Sequence, residues 1–338
     1  MVKYITLLGL MILFACNPFK AKKSDKHFIK VLNQKGLKIE MYDYSTAYAD
    51  TPIYLVAVSG ASTDTICITT NLKDLKYFDD TLVLYFLGKP KKYQDVIYIE
   101  VWEPHSTFQD LADLVAKAHG YGSGKPVILS AYISSFKDAQ SPEQLTAARS
   151  SLALTMASIV SGGASHLVAG GNGRLLFDPY YLRNHVANEE TLAQLRMLYD
   201  FSVAGGDLLY DPSRVDISRT SAFGINGEIK IQSNSPISLD GQAGTIWVRL
   251  FKGDSGLTMH FINLLDQKDN KWDAPGQKIS STAKIGIDLD AVGYKTLGHL
   301  GHASNGSSFQ AVTLESEGSR LTTEIEVVGE WTVLNIPC

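Results

Sequence analysis

The chain has 338 residues, a formal net charge of −4, and 45% apolar against 20% charged residues. That composition excludes intrinsic disorder and leaves room for two or three domains. The only cationic run is the short Lys20-Ala21-Lys22-Lys23, so the electrostatic footprint of a nucleic-acid binder is missing. The cysteines are Cys16, Cys67 and Cys338, too few for a disulfide framework. They leave a Cys67–Cys338 bridge and two separate thiols both open, and they do not take zinc-ligand spacing.

The chain begins Met1-Val2-Lys3, followed by an apolar run over 4–15. This run is shorter than the roughly 20 residues needed to cross a bilayer and reads as a signal sequence. It ends in Leu13-Phe14-Ala15-Cys16, which is similar to a bacterial lipobox. The similarity implies that residues 1–16 form a lipoprotein signal, that Cys16 is acylated, and that the protein is held at a membrane of the cell envelope. Residues 17–36, lysine-rich at their start, read as a tether.

Residues 37–90 read as a small β-sandwich. Leu37-Lys38-Ile39-Glu40-Met41 alternates, and Ile53-Tyr54-Leu55-Val56-Ala57-Val58 is a buried-strand run. Thr65-Ile66-Cys67-Ile68-Thr69 and Thr81-Leu82-Val83-Leu84-Tyr85-Phe86-Leu87 follow, separated by Asp, Asn and Gly turn residues. Gly88-Lys89-Pro90-Lys91-Lys92 breaks the run as a linker.

Over 93–212 strands and helices alternate, which predicts a parallel sheet. Strand Val96-Ile97-Tyr98-Ile99-Glu100 precedes a helix over 107–119 with Phe108, Leu111, Leu114, Val115 and Ala118 at helical spacing. Ser106 is the expected N-cap and Gly120 the expected stop. A strand over 126–132, a helix over 142–161, a strand over 166–170 and a long helix over 189–210 complete the series. A carboxylate at the C-terminal end of a parallel strand, followed by Trp102 and Glu103, stands where barrel enzymes keep their chemistry. Only three βα units are visible, however, and a full eight-fold barrel takes about 250 residues. Residues 219–338 return to β pattern and read as a second β-sandwich. Its Trp247, Trp272 and Trp331 are expected in the core.

Several stretches resemble glycoside hydrolase family 66, in order along the chain. They are Tyr98–Pro104, the run from Lys125 to Ile133, Gly162-Gly163-Ala164-Ser165-His166-Leu167, Asp178-Pro179-Tyr180-Tyr181 with Asn184-His185, Leu198-Tyr199-Asp200-Phe201 with Asp207-Leu208-Leu209, and the run from His260 to Leu265 followed by Trp272. The resemblance implies an immunoglobulin-like N-terminal domain, a (β/α)8 barrel and a C-terminal β-sandwich. It also implies dextranase-type, retaining cleavage of α-1,6-glucan, with no cofactor and no metal. Glu100 takes the acid/base position, and Trp102, Tyr132, Asn172, Tyr181 and His185 take substrate-binding positions. The partners implied are α-glucan or isomaltooligosaccharides.

In a retaining mechanism a second carboxylate, about 5–5.5 Å from the acid, attacks the sugar. The resemblance places that nucleophile on a strand preceding Glu100. The acidic residues before Glu100, namely Asp43, Asp50, Asp64, Asp74, Asp79, Asp80 and Asp95, read as turn or surface residues and not as the end of a βα strand. The first half of the barrel is therefore missing from the pattern. Two expectations follow: an enzyme whose nucleophile is not identified, or an inactive glucan-binding surface lipoprotein or remnant. Either would need its open half-barrel covered, for example by self-association.

Overall fold

The computed structural model describes residues 95–121, 124–178, 186–220 and 229–338 in full, and backbone alone for 122, 221–222 and six strands between residues 26 and 86. The signal segment with Cys16, the linker over 88–92, Tyr181 and His185 lie outside the described residues. The chain divides into two compact units, Met1–Asp95 and Val96–Cys338.

In the first unit, β1 (Lys26–Gln34), β2 (Leu37–Tyr44), β3 (Ile53–Ser59) and β4 (Ser62–Thr69) form an antiparallel four-stranded meander. Strands β5 (Leu72–Phe78) and β6 (Thr81–Phe86) form a separate hairpin. β1 lies inside the stretch expected as a tether, because Phe28, Val31 and the residues around them can pair with the alternating strand that follows. The backbone of Asp43, Asp64 and Asp74, read as turn or surface residues, lies in antiparallel strands and not in turns.

The second unit begins with a parallel sheet of β7 (Ile97–Glu100), β8 (Val127–Ser130) and β9 (Ser165–His166), in that spatial order. Its crossovers are helices α1 (Phe108–Gly122) and α2 (Pro142–Val160), and α3 (Glu189–Ala204) follows. The start of α1 is one residue later than expected. Thr107 accepts from Asp110 N at 3.1 Å and donates to the Asp110 carboxylate, which also accepts from Thr107 N at 2.9 Å, so Thr107 and not Ser106 closes the first turn. α2 starts on a full capping box, Ser141 with Gln144, and Pro142 in its first turn. The long helix expected over 189–210 is two helices, since the chain breaks at Gly205 before the short α4 (Gly206–Leu209). A β-carbon on Gly205 would come within 3.0 Å of Phe309 and Leu209. β9 has two residues where five were expected, because only Ser165 and His166 find partners on β8.

After β10 (Val215–Asp216) and the short helix α5 (Ser218–Ala222) the chain is β. It runs through β11 (Ile229–Ser233), β12 (Ile237–Ser238), β13 (Ile246–Gly253), β14 (Gly256–Asn263), β15 (Ala283–Asp290), β16 (Leu297–His302), β17 (Phe309–Thr313), β18 (Glu315–Glu317), β19 (Arg320–Val327) and β20 (Trp331–Ile336). A seven-stranded sheet has β13, β14 and β20 at its centre, and a four-stranded sheet runs β11-β15-β19-β18. One core lies between these sheets and includes Val248, Met259, Phe261, Ile285, Ile287, Ile325 and Leu334. The opposite face of the seven-stranded sheet, with Trp247, Ile262, Trp331 and Val333, joins Leu111, Val115, Leu152, Met156 and Phe201 of the helices in the other core.

The second unit is thus layered: parallel sheet, helices, large sheet, small sheet. Both faces of the central strands are buried, so their polar residues, Arg249, Thr258, His260, Thr332 and Asn335, are buried along with the apolar ones. The segment expected as a barrel and the one expected as a sandwich share this core. The expected cores of Trp247, Trp272 and Trp331 are found, with 1%, 5% and 0% exposure. The β13–β14 hairpin depends on Gly256, with φ +107°, where a β-carbon would strike the Ile336 carbonyl.

The helix layer is pinned to the large sheet by the buried Arg249 and the half-buried Arg214. Arg249 donates to Ser158 O at 3.2 Å and to Ser161 Oγ at 2.6 Å, and it pairs with Asp216 at 3.6 Å. Arg214 donates to the Ser161 and Leu209 carbonyls and stacks 4.0 Å over Phe251. Two cations at the C-terminal end of α2 answer its unpaired carbonyls and its dipole.

Candidate active site

Alternation along β7 and β8 separates two faces. Ile97, Ile99, Val127 and Leu129 point to the helices and their core. Tyr98, Glu100, Ile128 and Ser130 take the other face, with Glu100 directly across from Ser130. That face is wetter: Tyr98, Glu100 and Ile128 are half-buried. Among the described residues no strand pairs with the free edge of β7.

The Tyr98 hydroxyl donates to Glu100 Oε1 at 3.4 Å. Burial first, then Tyr132 and the Glu100 carboxylate, push the Tyr98 phenol well above its ordinary pKa, so it stays protonated and able to donate. Past the strand end Trp102 is 48% exposed. Its ring centroid lies 5.9 Å from that of Tyr132, tilted by 49°. A carboxylate with a protonated phenol, next to two aromatic rings on the loops after adjacent strands, is equipped for proton transfer to a polar ring-shaped ligand.

The other residues expected here divide. Asn172 sits in the loop after β9, at the same end of the sheet, exposed and in the left-handed conformation (φ 57°). That loop is closed by Gly170 N donating to Arg174 O at 2.7 Å. Tyr181 and His185 lie outside the described residues. Glu103 is exposed on the loop. His166 is a buried structural histidine: its Nε2 bonds the Ala131 carbonyl at 3.0 Å, and burial lowers its pKa to about 4. Tyr199 donates to the His166 carbonyl at 2.8 Å and so ties α3 to the sheet. Tyr98 was not singled out from the sequence, although its place two residues before Glu100 puts it on the same face of the strand.

A parallel-strand carboxylate beside an aromatic pair, backed by helices and a β-sandwich, makes this an α/β unit with a candidate site for a polar ring-shaped ligand at its strand ends. The particular family follows from the comparisons. The Glycosyl hydrolase family 66 profile matches residues 89–289, well over half of the chain, and the chain belongs to that family. No curated protein sequence matches it. Among solved structures it is similar to a Paenibacillus sp. cycloisomaltooligosaccharide glucanotransferase complexed with cycloisomaltoheptaose, with a TM-score of 0.59 and 14% identity, over 71% of this chain and 52% of that one. The likeness is one of fold, and this chain spans about half the length of that protein. A rhamnosidase from Novosphingobium sp. PP1Y aligns with a TM-score of only 0.23 and 11% identity, over 72% of this chain and 17% of that one, too weak to bear on the fold.

Proposed function

We propose that the protein acts on α-1,6-linked glucan as a dextranase-type glycoside hydrolase, with Glu100 as acid/base. The observation that carries this reading is Glu100 at the C-terminal end of a parallel strand, hydrogen-bonded to Tyr98, beside the Trp102–Tyr132 pair. In the retaining mechanism a nucleophilic carboxylate, not identified among the described residues, attacks the anomeric carbon while Glu100 protonates the leaving oxygen. Glu100 then takes a proton from the water that breaks the glycosyl–enzyme bond, and a sugar ring stacks on the exposed indole. Asn172, exposed in the loop after β9 at the same end of the sheet, contacts the sugar, and the family resemblance implies the same role for Tyr181 and His185. Cys16 carries the lipid that holds the protein at the cell envelope. Hydrolysis of dextran by wild type against Glu100→Gln tests the reading. Wild-type activity lost in the variant supports it, and an inactive wild type removes the hydrolase.

A second reading, glucan binding without hydrolysis, is favoured by one observation: among the described residues no strand bearing a second carboxylate pairs with the free edge of β7. In that reading self-association covers the open sheet. Isomaltotetraose binding by an inactive wild type would establish it, and sedimentation would show the dimer.

A further inference from the structure

We propose that Asp273, carried by the loop between β14 and β15, is a specificity-determining residue of the Glu100 site and accepts hydrogen bonds from the hydroxyls of a glucosyl unit stacked at Trp102 and Tyr132. The proposal rests on the glucan reading above and adds to it a residue from the other end of the unit.

Four hydrogen bonds put this loop in place. Phe108 N donates to Asn270 O at 2.9 Å, and Trp272 N donates to Ser106 O at 3.1 Å. Trp272 Nε1 donates to His105 O at 2.8 Å. Ser134 Oγ donates to the backbone carbonyl of Asp273 at 2.7 Å. The first three bind the loop to the segment after β7, which carries Trp102. The fourth binds it to the 3-10 turn after β8, two residues beyond Tyr132. Trp272 is buried and acts as the anchor. Asp273 is therefore held by its backbone between the two loops that supply the aromatic rings, with its side chain half-buried.

A carboxylate can only accept, and one partly withdrawn from water needs donors. Burial raises the pKa of the Asp273 carboxyl; its own backbone N–H, which supplies one donor, lowers it, Glu103 raises it, Lys271 lowers it and Asp269 raises it. The vicinal hydroxyls of a glucose ring present two donors to one carboxylate, and the ring's apolar face is then free to stack. The Ser134 hydroxyl is committed to the Asp273 carbonyl, so the substitutions below leave the clamp in place.

The test is calorimetric titration of the full-length protein with isomaltotetraose and with analogues in which single hydroxyls are replaced by hydrogen. Asp273→Ala is expected to weaken binding by about tenfold or more, since a hydrogen bond to a charged group is worth roughly 1.5–3 kcal/mol. Asp273→Asn, which keeps shape and one acceptor, is expected to lose less. Wild type is expected to lose affinity for one or two deoxy analogues that Asp273→Ala no longer distinguishes, a coupling that a purely structural role would not produce. Wild-type affinity in Asp273→Asn and Asp273→Ala, with binding lost in Trp102→Ala, overturns the role of Asp273 and leaves the glucan reading standing. If Asp273→Ala fails to fold, unaltered affinity and unaltered deoxy discrimination in Asp273→Asn overturn it. A folded wild type that binds no isomaltooligosaccharide removes the glucan reading, and this proposal with it.

Discussion

The parallel sheet and the large antiparallel sheet of the second unit are built from similar apolar runs but have opposite surroundings. Every residue of β14 and β20 is buried, whereas β7 buries only Ile97 fully and leaves Tyr98, Ile99 and Glu100 half-buried. The difference teaches where stability and chemistry are kept. The central strands of the large sheet pack against helices on one side and a second sheet on the other, so their substitution costs packing. The outer face of β7 is only half-buried at Tyr98 and Glu100, and a carboxylate there is exposed enough to reach a ligand.

This contrast can be broken from either side. Glu100→Gln gives the largest expected effect: a loss of about 10²–10⁴ in the rate of dextran hydrolysis, the usual value of a general acid/base. Its unfolding midpoint should stay within about 0.5 kcal/mol of wild type, as for a surface change. A large loss of stability in this variant would mean that the β7 face is core after all. Trp331→Ala should do the reverse. The indole is fully buried and packed edge-on to Phe201 at 4.9 Å, so truncation should cost about 3–5 kcal/mol in chemical denaturation.

A third effect sharpens the dry side of the parallel sheet. His166 is neutral in the fold, with a pKa of about 4, against an ordinary value of 6.5. The unfolded chain therefore binds a proton that the folded chain refuses between these values. Stability should be complete above pH 6.5 and fall as the pH drops towards 4, by about 3 kcal/mol for this group. The buried His260, whose pKa is also held well below 6.5 by burial and then by Arg214 and Arg249, adds to the same trend. Denaturation curves against pH for wild type and His166→Asn check the share of His166: the variant should show the shallower slope. The smallest effect is expected at Trp102→Ala. This side chain is nearly half exposed, so stability should change by less than about 0.5 kcal/mol, while isomaltotetraose affinity should fall several-fold as the stacking face is lost.

Much of this was legible because it is local. The β7 run ending on Glu100, the periodic apolar stripe of α1, the Ser141–Gln144 box of α2 and the three buried tryptophans are all short-range patterns. Other features depended on partners distant in sequence. Gly205 is a stop signal of the same kind as Gly120, but that Phe309 leaves no room there for a side chain is decided by a residue about a hundred positions on. β9 reads as a longer strand, yet only two of its residues pair with β8. Lys26–Gln34 reads as a tether when taken alone, and it becomes a strand because β2 offers it a partner.

The candidate site divides in the same way. Glu100, Trp102 and Tyr132 belong to strand ends and could be found by pattern and by resemblance. Asp273 could not, because more than a hundred residues separate it from the loops it joins, and its place depends on Trp272 filling a pocket at His105 and Ser106. The sequence alone determined the kinds of layer, the strand-end carboxylate and the family likeness, since propensity, periodicity and motif order are properties of neighbours along the chain. Only the tertiary structure decided which face of each strand is buried, which residues of the C-terminal sheets share a core with the helices, and which distant loop joins the segments after β7 and β8. Burial and hydrogen bonding between segments far apart in sequence settle those questions, and no local pattern encodes them.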